Sequence, residues 1–399
     1  MLTQAQLQII KETVPVLREN GVALTSYFYE RMLRLNPELK EVFNLGHQRS
    51  GGQAKALASA VLAYAENIEN LEVMGDAVNQ IMTKHVSLNI QPEQYDIVGE
   101  NLLASISEVL EVPMESELIK AWELAYTQLA NILIEGEKAR YHEIANAKQG
   151  WVGWREFEVV RKEKESDEVT SFYFKPVDNQ AIMPSEAGQY ISIRLHVPEL
   201  GHKQPRQYTL SHYGPGDYYR ISVKREDPKA SLEAGYVSTT LHNHIEVGDK
   251  VELSAPNGVF YLQNLDRKNV FISGGVGITP MVAMLGKLFD SNYTHDVSFL
   301  HACRSDKVLA LRSEILEFKK SLPQLETYLA CEENDNADIQ PHKLGRLELS
   351  EIDPTLLPKD ADYYICGPDP FLLAQLDALK KYGISESQIY MERFNTGGI

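Results

Sequence analysis

Residues 74–99 read MGDAVNQIMTKHVSLNIQPEQYDIVG, and the first half of this segment has the spacing of an amphipathic helix. Its apolar residues recur at intervals of three and four, the period of one helix face; they are Met74, Ala77, Val78, Ile81 and Met82. The next position on that face is His85, so a histidine is predicted to face the core. Pro92 is well placed to open a second helix, with Tyr95 in its first turn.

An imidazole on the inner face of a helix has two explanations. His85 could bind haem iron through one ring nitrogen, or it could be a core histidine that is held by hydrogen bonds. On periodicity alone the core histidine is the better explanation. The neighbouring helices are needed to decide between the two.

Composition and charge narrow the class of protein. The chain has 399 residues, 43% hydrophobic and 24% charged, which predicts two or three domains of an ordinary soluble protein. Its net charge of −17 argues against nucleic acid or an anionic membrane surface as a partner. The cysteines Cys303, Cys331 and Cys366 are too far apart to indicate disulfides or zinc. Without a signal-like N-terminus or an apolar run of ~20 residues, a cytoplasmic protein with no membrane span is expected.

Three sequence patterns predict three domains. Residues 1–140 have helical periodicity and little proline, which predicts an all-α domain. Residues 150–263 contain short alternating runs separated by turn residues, which predicts an antiparallel β-barrel or sandwich. In residues 264–399, apolar strands alternate with helices, the pattern of a parallel α/β sheet.

Several polar residues lie on the predicted inner faces of the N-terminal helices. Thr3 is suited to cap a helix that ends near Glu19, and a second helix is predicted over Val22–Leu35. Taken singly, each polar residue has an ordinary explanation as a core aromatic, an exposed helix start or a solvated last turn; these residues are Tyr29, Gln53 and Glu135 respectively. Glu135 lies three residues after Ile132, which predicts a carboxylate at the edge of the inner face.

Taken together, Tyr29, Phe43, Gln53 and His85 resemble a globin haem pocket. The whole chain resembles a flavohaemoglobin, a globin fused to a ferredoxin-reductase-like module, and KHVSLNIQPEQYDIVG is specific to that family and to closely similar bacterial globins. The resemblance implies haem b, with His85 as the proximal ligand of the iron. It also implies roles for Tyr29 as the distal tyrosine, Gln53 and Leu57 as distal helix residues, Phe43 as the aromatic on the haem, Tyr95 and Glu135 as partners of His85, and Lys84 near the flavin side.

The middle domain resembles the family's flavin-binding barrel. Arg206-Gln207-Tyr208-Thr209 matches the motif R-x-Y-[ST]. An arginine can pair with the flavin diphosphate, a tyrosine can stack beside the flavin ring, and a threonine hydroxyl can hydrogen-bond it. Tyr190 matches a second flavin contact. Ser238 lies in a Gly-Tyr-Val-Ser-Thr-Thr segment before a short helix, where backbone N–H groups suit a pyrophosphate.

The last domain resembles a nicotinamide nucleotide domain. A strand is followed by a glycine turn and a helix that suit a pyrophosphate; the turn comprises Gly274, Gly275, Val276, Gly277, Ile278, Thr279 and Pro280. Thr279 is expected to cap the helix. Cys366-Gly367-Pro368 resembles the reductases' C-G-P motif, whose cysteine lies beside the nicotinamide C4. Arg304 follows another strand and could accept a 2′-phosphate, so the choice between NADH and NADPH stays open.

The C-terminus departs from the family pattern. Glu392 matches an acidic residue near the junction of haem and flavin, and Phe394 matches an aromatic that covers the flavin. The neighbouring Arg393, Asn395 and Thr396 do not match. The approach of the nicotinamide to the flavin is therefore the part of the resemblance that these residues put in doubt.

The resemblance implies a nitric oxide dioxygenase. NAD(P)H would reduce FAD, FAD would pass single electrons to the haem, and nitric oxide with dioxygen would become nitrate. Two other functions stay open: an oxygen-binding or sensing globin whose reductase keeps the iron ferrous, and a general flavin or ferric reductase. A missing Tyr29 or His85 would have favoured the general reductase, and both are present. A monomer is expected, with the small molecules NO and O2 as its partners.

Overall fold

The structure is a computed structural model that describes residues 2–45, 51–214, 216–227 and 235–394. Its N-terminal part is helical and holds five long helices in the ranges described, α1 (Gln4–Leu35), α2 (Gly52–Glu66), α3 (Gly75–Ser87), α4 (Pro92–Leu110) and α5 (Glu117–Asn146). Thr3 caps α1 in a capping box, and Pro92 stands at the start of α4, as predicted. The predicted all-α domain is confirmed.

The predicted break in the first helix is wrong. Residues 4–35 form one continuous helix through Gly21, instead of two helices that meet near Val22. A Cβ at Gly21 would lie 3.4 Å from Ala58 Cβ of α2, so this glycine is where the two helices approach each other. Packing against α2 outweighs the weak helix propensity of a single glycine.

A buried apolar core holds the helices together. Phe28, Met32 and Trp122 from α1 and α5 are each at most 4% exposed and lie in one cluster with residues of α2 and α4. Burying a side chain of this size contributes about 1.5–3 kcal/mol. The core therefore fixes the helices that carry the polar inner-face residues.

The middle part is a curled antiparallel sheet, which confirms the predicted β domain. Its strands lie in the order β4-β3-β6-β1-β2-β5; they are β1 (Arg155–Lys164), β2 (Val169–Pro176), β3 (Tyr190–Val197), β4 (His202–Thr209), β5 (Tyr219–Lys224) and β6 (Lys250–Leu253). A bridge between Leu210 and Ile221 joins the two edges of the sheet. A short helix, α6 (Tyr236–His244), follows β5 in the chain.

Strand β4 is not one of the short alternating runs from which the β domain was predicted. It contains Pro205, and its sequence HKQPRQYT lacks apolar alternation. Proline is tolerated because β4 lies at an edge of the sheet order. The polar residues of its second half, Arg206–Thr209, line the cavity described below, so the usual signal of a strand is absent from its sequence.

The C-terminal part is a parallel sheet flanked by helices, as predicted. Its strand order is β10-β9-β8-β7-β11-β12; the strands are β7 (Lys268–Gly274), β8 (Val297–Ser305), β9 (Leu325–Glu333), β10 (Lys343–Leu344), β11 (Ala361–Gly367) and β12 (Ile389–Arg393). The accompanying helices are α7 (Ile278–Asp290), α8 (Arg312–Ser321) and α9 (Asp369–Tyr382). Ligands of such sheets bind at the carboxyl ends of the strands.

The helical domain rests on the barrel through the helix that carries His85. The Asn257 amide donates to the Thr83 carbonyl oxygen over 2.9 Å, and the Gln207 amide reaches the Ser87 hydroxyl at 3.5 Å. Away from α3, the Gln204 amide donates to the Lys40 carbonyl over 2.6 Å. These contacts place the carboxyl end of α3 beside the flavin-motif strand β4.

Candidate active site

One cavity of about 1360 Å³ runs between the helical domain and the barrel. Residues predicted separately in all three domains line it; they are Tyr29, Phe43, Gln53, Leu57, Lys84, His85, Tyr95, Tyr190, Arg206, Gln207, Tyr208, Thr209, Ser238, Val276, Thr279, Glu392 and Phe394. Other predicted residues lie outside its lining; they are Glu135, Gly274, Gly275, Gly277, Ile278, Pro280, Arg304, Cys366, Gly367 and Pro368. The cavity therefore brings together residues predicted for haem and residues predicted for flavin, which lie far apart in the sequence.

His85 is held by a carboxylate and a phenol. Its Nδ1 lies 2.8 Å from Glu137 Oε1 and 2.9 Å from the Tyr95 hydroxyl oxygen, and that hydroxyl donates to the same Oε1 over 2.6 Å. Because a carboxylate only accepts hydrogen bonds, Nδ1 carries the proton and donates it. Nε2 is then the nitrogen through which the ring could bind iron.

The predicted partner of His85, Glu135, is wrong, and Glu137 takes its place. Glu135 is exposed, whereas the Glu137 side chain is 4% exposed. The prediction took Ile132 as an inner-face residue, but Ile132 is 41% exposed. The buried face of α5 passes through Ala130 and Leu133, and Glu137 lies four residues after Leu133. Counting from Leu133 instead of Ile132 places Glu137 on the inner face, but the structure is needed to show which of these two apolar residues is buried.

Tyr95 is neutral beside the Glu137 carboxylate. Burial, together with its hydrogen bond to Glu137, raises the pKa of Tyr95 above its ordinary value. The phenol therefore keeps its proton and remains a donor to Glu137. These hydrogen bonds fix the orientation of the His85 imidazole ring and its tautomer.

Tyr29 and Gln53 face each other across the helical side of the cavity. Tyr29 is 7% exposed, and burial raises the pKa of its phenol. The hydrogen bond to the Gln53 side chain lowers this pKa, but its effect is smaller than that of burial. The Phe43 ring lies edge-on to Tyr29, with centroids 5.8 Å apart. The result is an apolar pocket that contains a protonated hydroxyl and an amide.

Two cations line the part of the cavity between α3 and β4. Burial lowers the pKa of Arg206 to about 10, and burial, followed by repulsion from Arg206, lowers the pKa of Lys84. The hydrogen bonds that Arg206 donates go to the neutral oxygens of Pro205 and Asn44. A guanidinium whose charge is disfavoured by burial fits an anion such as a diphosphate.

Aromatic rings and close glycines form the barrel side of the cavity. Burial raises the pKa of Tyr208 and of Tyr190, and Tyr190 also hydrogen-bonds the Ser87 side chain. Gly258, at φ +123°, would place a Cβ 3.0 Å from the Tyr190 ring. A larger residue at position 258 would displace the Tyr190 ring, so glycine is needed there for the ring to line the cavity.

The glycine turn between β7 and α7 is tightly packed. A Cβ at Gly277 would lie 2.3 Å from the Cys366 carbonyl oxygen, so the turn touches the end of β11. The predicted Thr279 cap is wrong, because the Thr279 hydroxyl donates to the Val276 carbonyl over 3.1 Å instead of accepting from a helix N–H. The helix begins at Ile278, which places Thr279 inside its first turn and not before it.

Three further residues of the nucleotide domain have defined surroundings. Cys366 is fully buried, which raises the pKa of its thiol. His301, a residue of β8, is 4% exposed, and its Nδ1 lies 2.8 Å from the Ser273 hydroxyl. Burial lowers the pKa of His301 to about 4, so the ring is neutral. Arg304 donates to the Glu168 carboxylate over 2.5 Å, a contact that its sequence context does not reveal.

The last described residues reach the cavity from β12. Burial raises the pKa of Glu392 to about 7, so this carboxyl can change its protonation state near neutral pH. Phe394 also lines the cavity. Of the atypical C-terminal residues, Asn395 and Thr396 lie outside the described residues.

Family comparisons agree with this architecture. The Globin family matches residues 26–133, the family described as Oxidoreductase FAD-binding domain matches residues 156–261, and the Oxidoreductase NAD-binding domain matches residues 271–376. The fold and these matches define an NAD(P)H-dependent oxidoreductase built from a globin and a flavin reductase. Haem, FAD and a nicotinamide nucleotide, the cofactors expected from the sequence, are confirmed at the level of these domains.

Relatives extend over the whole chain. The Flavohemoprotein of Bordetella pertussis is 47% identical over 405 residues and covers 100% of both chains, and that of Chromobacterium violaceum is 45% identical over 99% of both. The chain belongs to the flavohemoprotein family, as its motifs predicted.

Solved structures give the same result. The flavohemoglobin of Malassezia yamatoensis, solved with bound FAD and haem, matches with a TM-score of 0.86 and 29% identity over 99% of this chain and 100% of that one. The FAD/NAD-binding domain of nitric oxide dioxygenase from Vibrio cholerae matches with a TM-score of 0.55 and 36% identity over 60% of this chain and 98% of that one. In the ranges that the structure describes, no helix is both long and apolar enough to cross a membrane.

Proposed function

We propose that this flavohemoprotein converts nitric oxide and dioxygen to nitrate with electrons from NAD(P)H, and so detoxifies nitric oxide. The observation that carries the proposal is the cavity that joins the Tyr29–His85 pocket to the flavin motif at Arg206. The similarity to the reductase part of the Vibrio cholerae nitric oxide dioxygenase also supports it. One NAD(P)H supplies two electrons and serves two molecules of nitric oxide.

Three bound groups supply the redox chemistry. When bound, the nicotinamide supplies a hydride, FAD accepts its two electrons and passes them on one at a time, and haem iron supplies the centre at which dioxygen reacts. The residues described above bind these groups, orient them and exclude water from them.

His85 would bind the haem iron through Nε2. The Glu137 carboxylate accepts a hydrogen bond from Nδ1–H, which would make the imidazole a stronger electron donor. Tyr95 donates to Glu137 and keeps that carboxylate oriented toward the ring. The buried Glu137 therefore acts on the iron through His85, without touching it.

On the distal side, Tyr29 and Gln53 are hydrogen-bond donors for the diatomic substrate. The raised pKa of Tyr29 keeps its hydroxyl protonated, so it can stabilise negative charge that develops on dioxygen. Phe43 and Leu57 line the same pocket and limit the access of water. Such a pocket strengthens a hydrogen bond because its dielectric constant is low.

On the flavin side, Arg206 would pair with the diphosphate of FAD, and Tyr208 and Tyr190 would flank its ring. Gln207, Thr209, Ser238 and Phe394 complete the binding surface that we assign to FAD; all of them line the cavity. Lys84 directly precedes His85 and lies near Arg206, so its positive charge would favour the passage of an electron toward the haem. Glu392 can hold or release a proton at its carboxylate near neutral pH.

The glycine turn is assigned to the nucleotide. Its backbone N–H groups, at the start of α7, suit the pyrophosphate of NAD(P)H; the residues are Gly274, Gly275, Val276, Gly277, Ile278, Thr279 and Pro280. The motif Cys366, Gly367 and Pro368 abuts this turn and is assigned to the nicotinamide. Arg304 stays a candidate for binding the adenosine ribose of the nucleotide, although it already forms an ion pair with Glu168.

Replacing Glu137 tests the proximal assignment. We expect Glu137→Gln to lower nitrate formation by about ten- to a hundredfold, the usual cost of losing a hydrogen-bond partner of a metal ligand. The haem reduction potential should rise, because a neutral amide makes His85 a weaker donor. Activity assays and potentiometric titration measure both effects.

Glu135→Gln is the matched control, since this residue lies on the same helix but is exposed. Its activity and potential should equal those of the wild type. If Glu135→Gln lowered activity and Glu137→Gln did not, the sequence-based assignment would be restored.

Removing two residues of the flavin motif tests the second pocket. The double variant Arg206→Ala, Tyr208→Ala should copurify with haem but with little FAD, because it loses the buried cation and the ring wall. Absorption spectra and flavin released on denaturation report the two occupancies. Arg161→Ala, Tyr218→Ala removes the same residue types from the barrel outside the cavity lining, and it should keep FAD. Full flavin occupancy in the first variant would contradict the assignment.

The proposed reaction itself is tested by nitric-oxide-dependent oxidation of NAD(P)H in air. Nitrate should appear with one molecule per nitric oxide consumed and two per nucleotide oxidised. A protein that made no nitrate but reduced ferric chelates rapidly would be a general reductase. Sequence-based expectations of a monomeric, cytoplasmic protein stay predictions, which gel filtration and cell fractionation check.

A further inference from the structure

A buried arginine links the barrel to the nucleotide domain. Arg220 lies on β5 and is 6% exposed, and its Nη1 donates to Glu314 Oε2 of α8 over 2.7 Å. Its remaining nitrogens donate to Ser211, from Nε to the hydroxyl over 3.0 Å and from Nη2 to the carbonyl oxygen. One side chain therefore binds both domains at once.

One end of this link lies beside the flavin motif, and the strand that carries Arg220 contacts the glycine turn. Ser211 comes two residues after Thr209, the last residue of the flavin motif. Its hydroxyl lies 2.8 Å from that of Ser222, which lines the cavity. Strand β5, which carries Arg220, also packs against the Gly275–Gly277 turn of the nucleotide domain.

Burial distinguishes this pair from other ion pairs between the two domains. Arg304 and Glu168 have side chains that are 62% and 31% exposed, whereas Arg220 and Glu314 are 6% and 24% exposed. An exposed pair is screened by water and holds its geometry weakly. A desolvated, hydrogen-bonded pair has few alternative geometries, and loss of one partner leaves a buried charge.

We propose that Arg220 and Glu314 are positioning residues that fix the glycine turn relative to the flavin motif, and so set the approach of the nicotinamide to the flavin. Small displacements of reacting groups have large kinetic effects, because a shift of about 1 Å can cost on the order of a hundredfold in rate. The proposal concerns the step from nucleotide to flavin, so it does not depend on nitric oxide as the substrate.

Glu314→Gln tests the proposal in the full-length holoprotein. The amide keeps the size of the side chain and an acceptor oxygen but removes the charge. In anaerobic single-turnover mixing with NADH, the limiting rate of flavin reduction should fall by about tenfold or more. The dissociation constant for NADH and the FAD content should stay within about twofold of wild type, a range of roughly 0.4 kcal/mol. A purely structural role would not separate the limiting rate from binding in this way.

Hydrogen exchange gives a second readout that does not depend on turnover. Amides of β5 (Tyr219–Lys224) and α8 (Arg312–Ser321) should exchange faster in Glu314→Gln than in the wild type, because the link between them is weakened. Glu317→Gln is the matched control. Glu317 lies on the same helix, and its ion pair with Lys320 is within that helix and exposed. It should change neither the rate nor the exchange.

Two results would overturn the proposal. One is a limiting rate of flavin reduction in Glu314→Gln that equals that of Glu317→Gln. The other result concerns Glu314→Asp, which is measured if Glu314→Gln fails to retain FAD. This variant keeps the negative charge but shortens the side chain by one methylene. A limiting rate of flavin reduction equal to that of the wild type, with unchanged hydrogen exchange in α8 and β5, would show that the geometry of the pair does not position the nucleotide.

Discussion

His85→Ala should purify without most of its haem, while its FAD content stays that of the wild type. The imidazole is the proposed iron ligand, and its Nδ1 is fixed by Glu137 and Tyr95 at 2.8 and 2.9 Å. Alanine removes the ligand and leaves the Glu137 carboxylate buried with one donor fewer, which disfavours the loaded globin further. The Soret absorbance relative to the protein absorbance measures the loss.

Two comparisons make this result specific. His142→Ala changes an exposed histidine of α5 and should keep full haem content. His85→Gly with added imidazole should regain a Soret band, because free imidazole can occupy the space of the lost ring. If His85→Ala retained full haem with an unchanged spectrum, His85 would be a core histidine and the proximal assignment would be wrong.

Tyr29→Phe should speed the dissociation of dioxygen from the reduced protein and lower nitrate formation. A hydrogen bond to a charged acceptor contributes about 1.5–3 kcal/mol, which corresponds to roughly ten- to a hundredfold in the dissociation rate. Phenylalanine removes the hydroxyl and keeps the ring that packs edge-on against Phe43. Reduction of an artificial acceptor through FAD should stay near normal, since Tyr29 lies on the haem side.

Tyr64→Phe is the control for this variant. Tyr64 lines the same cavity and is 2% exposed, but its hydroxyl donates to the Ala125 carbonyl over 2.8 Å. Its loss should affect stability and leave dioxygen dissociation near the wild-type rate. Equal dissociation rates in Tyr29→Phe and the wild type would remove the distal role from Tyr29. A general reductase would instead show normal acceptor reduction and no nitrate even in the wild type.

The order and type of the three domains were determined by the sequence. The spacing of three and four between apolar residues in 74–85 predicted that His85 lies on an inner helix face, and His85 lines the cavity together with Val78 and Ile81 of that face. The glycine turn after β7 was recognisable because its three glycines directly follow an apolar strand and precede a helical segment. These signals depend on neighbours along the chain, whereas the close approach of Gly277 to Cys366 is visible only in the folded protein.

Tertiary structure decided which residues meet. Glu135 and Glu137 are both compatible with the helical period, and only the packing of Leu133 shows that α5 turns Glu137 toward His85. Strand β4 escaped prediction because its sequence lacks apolar alternation, and the polar residues of its second half line a cavity. In each case the deciding contact lies far away along the chain.

The same reason explains the link between Arg220 and Glu314. Ninety-four positions separate the two residues, and neither has a local pattern that differs from an ordinary surface charge. Sequence periodicity reports which face of an element is buried, but it does not report what another domain places against that face. The positions around one cavity of the residues assigned to haem and to flavin are therefore a property of the packed domains, whereas most of these residues were proposed from the chain alone.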